Sequence, residues 1–175
     1  MASAGKIKKK SLLKDAYFLS ATGIVLATLL LSLAVSYRRL TLNLTLGPFP
    51  LHHWMSLTGA SFVAAYIPVY HNLKSRYPAK MRILLKIHIF GNLLSFMLIS
   101  LHFTHQTLVP VNVPPSPATG WPMYLAMLML ITTGIFRRFL IAGRYQTYWK
   151  YLHTSLPVTV YLLIVFHVLR GLKIV

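Results

Sequence analysis

Histidine is the residue type on which any chemistry of this chain depends. The 175-residue sequence contains eight histidines, no cysteine and a single acidic residue, Asp15. Paired-carboxylate catalysis and oxygen-ligand metal cages need several acids, whereas disulfides, zinc fingers and iron–sulfur clusters need cysteine. These functions are excluded, and the imidazole ring remains as a metal ligand or a proton carrier.

Four of the histidines form two pairs with the same spacing. His88 and His102 are fourteen residues apart, and so are His153 and His167. At 3.6 residues per turn, fourteen positions return to within about 40° of the same helix face and rise by about 21 Å. Each pair therefore predicts a helix with two imidazoles on one stripe, one near each end.

The elements that must position these histidines are predicted to be transmembrane helices. Hydrophobic residues make up 56% of the chain and charged residues only 11%, against about 25% charged residues in a soluble domain. Three uncharged blocks, residues 16–37, 40–73 and 87–136, each exceed the roughly 20 residues that cross a bilayer as a helix.

Turn residues divide the chain into an all-α, polytopic membrane helix bundle with about five spans. Residues 1–14 form a basic tail and residues 15–175 a single bundle, with a proline-rich loop at residues 109–122. The predicted spans cover approximately residues 15–37, 51–71, 82–105, 121–139 and 151–172.

The distribution of basic residues predicts the orientation of the chain. Fourteen of the 18 Lys and Arg residues lie in the N-terminal tail and in the second and fourth connections, and four lie on the opposite side. The positive-inside rule then places the N-terminus in the cytoplasm and the C-terminus outside, in a multi-pass protein of the plasma membrane. Membrane lipid is thus an expected partner. Nucleic acid is not, because no basic stripe occurs away from the span ends.

Parallel helices would place the histidines at two matching depths. The third and fifth spans run in the same direction, so His88 and His153 share the inner depth, and His102 and His167 share the outer depth. An iron porphyrin accepts one axial imidazole from each side, and Gly91 leaves room on the stripe of the third helix. We therefore predict two bis-histidine haem sites. Zinc or copper is the weaker alternative, because each facing pair supplies too few ligands for a closed site.

This paired spacing resembles the two-haem cores of membrane b-type cytochromes. It is most similar to the ferric reductase-like transmembrane domain of metalloreductases, NADPH oxidases and the haem subunit of the bacterial periplasmic methionine sulfoxide reductase system. The resemblance covers residues 51–172 and implies that two haem b groups have as axial ligands His88, His102, His153 and His167. The quinol-oxidising cytochrome b shares the spacing, so the superfamily stays open.

The chain departs from that family in two respects. Six spans are usual, whereas five are predicted here. Metalloreductases and NADPH oxidases continue into a flavin- and nicotinamide-binding region, but this sequence contains no G-x-G-x-x-G motif and no room for a Rossmann unit. We therefore expect an electron-transfer subunit that receives electrons from a separate flavoprotein, iron–sulfur protein or quinol.

Two further functions stay open from the sequence. The chain could be a haem-bearing membrane anchor of a larger respiratory or reductase complex, and that complex could be linked to quinone. Alternatively, it could be a non-haem scaffold or transporter with structural or proton-relaying histidines. A reduced-minus-oxidised absorption spectrum would separate these classes.

The remaining polar residues near the span ends have two readings each. His53 and His71 are eighteen residues apart and are alternative ligands. Four histidines are expected either to be interfacial side chains or to contact an electron acceptor: His52, His53, His71 and His105. Haem propionates or lipid headgroups are the expected partners of Arg82, Lys86, Arg138 and Lys150.

Overall fold

The computed structural model describes residues 15–108, 120–139 and 145–171. Within them it contains five helices, in agreement with the helical fold predicted from the sequence. They are α1 (Ala16–Ser36), α2 (Leu51–Arg76), α3 (Met81–Thr107), α4 (Gly120–Arg138) and α5 (Gln146–Gly171). The predicted basic tail, residues 1–14, and most of the predicted proline-rich loop, residues 109–119, lie outside the described residues.

The single acidic side chain of the sequence begins the first helix. The Asp15 carboxylate accepts hydrogen bonds from the backbone N–H groups of Tyr17, at 2.9 Å, and Phe18, at 3.4 Å. These donors have no partner inside the helix, so the carboxylate satisfies them as an N-cap. Asp15 therefore has a structural role far along the chain from every histidine.

A short antiparallel hairpin, which the sequence analysis did not predict, connects α1 to α2. Its strands are β1 (Thr45–Leu46) and β2 (Phe49–Pro50). Gly47 follows β1 with a φ of 63°, a left-handed value that glycine adopts readily in two-residue hairpin turns. The indole N–H of Trp54 donates to the Leu46 carbonyl at 2.8 Å, which fixes the hairpin against the first turn of α2.

Helix α3 occupies the centre of the bundle and packs against α1, α2 and α4, while α5 packs mainly against α4. The approach of α2 to α3 is close at Gly59, where a Cβ atom would lie 2.8 Å from the Ser95 carbonyl oxygen. Small residues allow helices to approach in this way. The arrangement leaves α3 and α5 as neighbours separated by side chains rather than as a tightly packed pair.

A proline inside α2 is compensated by a side chain from α5. Pro68 has no N–H group, so the Ala64 carbonyl, four residues earlier, loses its helical donor. The Tyr161 hydroxyl donates to that carbonyl. Helix α2 continues through Pro68 to Arg76, five residues beyond its predicted end, and this hydrogen bond ties it to α5.

Three helices of the described residues are long and apolar enough to cross a membrane. They cover Ala16–Ser36, Pro78–Thr107 (with the short 3-10 turn before α3) and Gln146–Arg170. Their outward surfaces are apolar: Leu30 is 67% exposed on α1, and Leu162 is 68% exposed on α5. Leucines this exposed match a hydrocarbon environment, which supports the prediction of a membrane protein.

Candidate functional site

The structure brings two of the predicted ligands together at one end of the bundle. The imidazole rings of His88 on α3 and His153 on α5 lie 6.3 Å apart between centroids, with their planes nearly perpendicular at 87°. Both side chains are half-buried. Two helices that do not pack closely on each other thus present facing imidazoles, and we call this pair the inner pair.

Helix α4, which has no histidine, holds the His153 ring in place. The Nδ1 atom of His153 lies 3.2 Å from the Leu130 carbonyl oxygen and 3.2 Å from the Thr133 hydroxyl. That hydroxyl donates its own proton to the Met129 carbonyl at 2.8 Å. Both neighbours of Nδ1 are therefore acceptors, so the ring proton resides on Nδ1 and the Nε2 lone pair is available to a ligand.

Glycine at position 134 makes room for that ring. A Cβ atom on Gly134 would lie 3.0 Å from Cε1 of His153 and 3.5 Å from its Nδ1. Ordinary carbon–carbon contacts are about 3.5–4.0 Å, so any larger residue would displace the imidazole. Gly134 is therefore a positioning residue that the sequence analysis did not identify.

The other ring of the inner pair is covered by α2. Tyr70 stacks on His88 with centroids 4.4 Å apart and planes inclined by 19°. Asn92 donates to the His88 carbonyl, and its amide nitrogen lies 3.3 Å from His88 Nδ1. The Asn92 Oδ1 atom is buried without a hydrogen-bond partner among the described residues. The Asn92 amide nitrogen therefore lies against both the carbonyl and the ring of His88 and restricts the movement of that side chain.

Basic residues that the sequence analysis did not assign to the site act electrostatically on the inner pair, Lys74 on His88 and Arg137 on both histidines. Arg137 lies within electrostatic range of His88, His153 and Tyr70. Two of the four basic residues for which haem propionates or lipid headgroups are expected lie over aromatic rings. The Lys86 ammonium is 5.4 Å from the Tyr17 ring centroid, and Arg138 lies 5.6 Å from that of Phe139.

A larger group of imidazoles lies at the opposite end of the bundle, where α2 begins and α3 ends. The His52 ring lies 4.4 Å from His53, 5.5 Å from His102 and 4.1 Å from His105 between centroids. His53 and His102 are 5.2 Å apart. We call these four residues the outer cluster. Sequence analysis predicted interfacial positions for His52, His53 and His105, near the outer depth of His102.

Backbone carbonyl groups orient two rings of the outer cluster. His102 Nδ1 lies 3.1 Å from the His52 carbonyl oxygen, and His52 Nδ1 lies 3.3 Å from that of Leu42. A carbonyl only accepts, so both rings carry their proton on Nδ1 and keep the Nε2 lone pair. His52 and His102 are only 5% and 8% exposed, which restricts their movement.

The fourth ring of the cluster, His105, is held through its other nitrogen, Nε2. His105 Nε2 donates to the side-chain oxygen of Asn43 at 2.7 Å. Its Nδ1 atom consequently carries a lone pair and no proton, and this atom is buried with no hydrogen-bond partner among the described residues. Both Leu42 and Asn43 precede the hairpin, so the connection between α1 and α2 builds one wall of the cluster.

The remaining predicted site residues have different surroundings. His167 lies within electrostatic range of His53 and His102, and a Cβ atom on Gly120 would be 3.9 Å from its Cε1. The space over Gly91 is filled by α2, because a Cβ atom there would lie 2.1 Å from Phe62 Cζ. His71 is exposed near the C-terminal end of α2. The role of Gly91 as room for a cofactor stays a prediction.

The described residues form a helical protein with three helices able to cross a membrane and with imidazoles gathered at two levels. No known protein family, no curated protein and no solved structure matches it. The resemblance to the ferric reductase-like domain accordingly stays a prediction from the histidine spacing.

Proposed function

We propose that the protein is a multi-pass membrane cytochrome of the b type, which carries electrons through a haem held between His88 and His153. The observation that carries the proposal is the inner pair itself, two imidazoles from different helices with centroids 6.3 Å apart. Two metal–imidazole bonds of about 2.0 Å put the ligand nitrogens about 4 Å apart and the ring centroids about 6 Å apart. The observed separation fits bis-histidine ligation.

The surrounding residues support that use of the pair. Leu130 and Thr133 fix the His153 ring with its Nε2 lone pair available, which is the usual support of a metal-binding histidine. Arg137 supplies a positive charge that suits an acidic propionate. A bound haem contributes the one-electron iron couple, while the protein provides ligation, orientation and an apolar surrounding.

The path of the chain supports five spans. His88 meets His153, and His102 lies near His167, so α3 and α5 run in the same direction. Helix α4 must return between them, and α2, with 26 residues, measures about 39 Å at a rise of 1.5 Å per residue, enough to cross a bilayer core of about 30 Å. We propose an N-terminus in the cytoplasm, from the asymmetry of basic residues.

Electron entry is proposed at the inner pair, from a separate flavoprotein, iron–sulfur protein or quinol. The basic residues at this end favour an acidic partner by electrostatic steering. In the two-haem form of the proposal, His102 and His167 hold a second haem and extend the route about 21 Å along the helices. The alternative function, a membrane anchor within a larger reductase complex, uses the same inner pair. Co-purification of a stoichiometric soluble subunit would distinguish the anchor from the electron carrier.

The test is the spectrum of the purified full-length protein in detergent. We expect a reduced-minus-oxidised b-type band that is lost from the inner site in both His88→Ala and His153→Ala. His71→Ala, an exposed histidine on α2, is the matched control and should keep the full signal. Absence of a b-type band from the dithionite-reduced wild-type protein would reject the proposal. Equal haem content in His153→Ala and His71→Ala would reject the assigned ligands.

A further inference from the structure

We infer that the outer cluster binds one divalent transition-metal ion of the copper–zinc class directly, through His52, His53 and His102. One ligand nitrogen from each of these residues lies within 4.8 Å of the other two. Imidazole suits copper and zinc, and three imidazoles with an open fourth position form a recurrent zinc arrangement. The inference goes beyond the proposed function, which does not use His52 or His53.

The geometry requires little movement to accept an ion. A tetrahedral ion with metal–nitrogen bonds of about 2.0–2.1 Å holds its ligand nitrogens about 3.3 Å apart. The three nitrogens, now within 4.8 Å of one another, would approach by at most about 1.5 Å, which is within the range of side-chain rotation. Consecutive positions on the first turn of α2 and one position on α3 supply the ligands, so two helices define the site.

Hydrogen bonding has already selected the tautomers that a metal requires. His52 and His102 donate Nδ1–H to the carbonyl groups of Leu42 and His52, at 3.3 Å and 3.1 Å, respectively. Metal-binding histidines characteristically use their second nitrogen in this manner. The Gln106 amide nitrogen lies 3.4 Å from His52 Nε2, which is consistent with a lone pair on that atom, and this weak contact would yield to an ion.

An unpartnered nitrogen next to the three ligands supports the same conclusion. His105 Nδ1 is buried without a hydrogen-bond partner among the described residues, and its ring stacks 4.1 Å from His52. A buried lone pair without a donor is unfavourable. Because the one acid of the sequence caps α1, no carboxylate competes for these imidazoles. A nitrogen without a proton donor therefore lies beside the three ligands.

Metal ligation and haem ligation at this end exclude each other. His102 has its Nδ1 proton committed to a carbonyl, so it has a single nitrogen to offer, either to a haem paired with His167 or to the ion. Three nitrogens that converge on one point favour an ion over a flat macrocycle, which needs ligands on opposite faces. The inferred protein therefore has a haem at the inner pair and a metal ion at the outer cluster.

The experiment measures haem and metal in the same purified full-length protein. Samples are loaded with Cu²⁺ or Zn²⁺, desalted and analysed by elemental mass spectrometry, with Mg²⁺ as the negative control ion. We expect one copper or zinc per chain in the wild-type protein and in His71→Ala. His53→Ala removes a ligand without touching the inner pair, and it should bind the ion at least about tenfold more weakly, since even loss of a supporting residue costs about 10–100-fold. His53→Asn, of similar shape, should behave alike, and a normal inner-haem spectrum verifies folding.

Each result bears separately on the two proposals. Two haems and no ion per chain would overturn this inference and leave the proposed function intact. One ion without haem would support the inference and reject the proposed function. Equal ion binding by the wild-type protein, His53→Ala and His53→Asn would place the ion elsewhere and overturn the inference.

Discussion

The substitution Gly134→Ala tests whether the position of the His153 ring determines cofactor binding. The new Cβ atom would lie 3.0 Å from His153 Cε1, which is about 0.5–1 Å closer than an ordinary carbon–carbon contact. The ring must move away, and its Nδ1 contacts to Leu130 and Thr133, both 3.2 Å, are already at the long limit of a hydrogen bond. Movement therefore weakens both contacts.

The expected loss of haem affinity follows from these hydrogen bonds. A neutral hydrogen bond contributes about 0.5–1.5 kcal/mol, which corresponds to haem binding weaker by about two- to tenfold. Stability should move in the opposite direction, because alanine in a helix is favoured over glycine by about 0.5–1 kcal/mol. The weakened contacts of His153 offset part of that gain, so the apoprotein of Gly134→Ala should be no less stable than the wild type while it binds haem less well.

The assay compares haem retention during gel filtration with thermal unfolding of the apoprotein. The matched control is Gly23→Ala on α1, where nothing lies within 4 Å of the added Cβ atom. This control should gain the same helix stability and keep wild-type haem affinity. If Gly134→Ala and Gly23→Ala retain haem equally, the reasoning is refuted, because the position of His153 against α4 would then be irrelevant to ligation.

Two further predictions concern charge and helix contact. Arg137→Gln should lower the haem midpoint potential in a redox titration by up to about 70 mV, since two unit charges about 10 Å apart at an effective dielectric constant of about 20 interact by about 1.7 kcal/mol. Arg138→Gln, whose guanidinium lies over a ring, should change it little, and equal shifts would contradict the assignment. Tyr161→Phe should cost about 1–3 kcal/mol of unfolding free energy by leaving the Ala64 carbonyl unpaired. A Pro68→Ala background restores the helical donor and should remove most of that cost, so additive effects in the double-mutant cycle would contradict this account.

Uncharged blocks and turn residues were sufficient to predict the five helices among the described residues. The fourteen-residue spacing predicted stripes on two helices, and the structure does bring His88 to His153. The predicted ends of the helices were less accurate than their number. Helix α2 was predicted to end at residue 71 but reaches Arg76, and a tyrosine from α5 compensates for its internal proline. Such a compensation depends on a tertiary contact, which periodicity does not report.

The residues that support the imidazoles were missed for a different reason. His153 is held partly by the carbonyl of Leu130, and His52 by that of Leu42. Every residue has a backbone carbonyl group, so these contacts cannot be predicted from the side-chain types in the sequence. Gly134 was the one available signal, since a glycine within a helix usually has a packing reason. Its partner, nineteen residues away on α5, could be identified only from the fold.

The support of the rings by carbonyl groups limits what the protein can bind. A ring that donates Nδ1–H to a carbonyl directs an Nε2 lone pair at its surroundings, as His52, His102 and His153 do. Lone pairs that converge in an apolar bundle repel one another unless a Lewis acid lies between them. The single carboxylate is occupied at the start of α1, so hydrogen bonds to acids cannot serve this purpose. The proposed iron at the inner pair and the inferred metal ion at the outer cluster would satisfy the same physical requirement at both ends of the bundle.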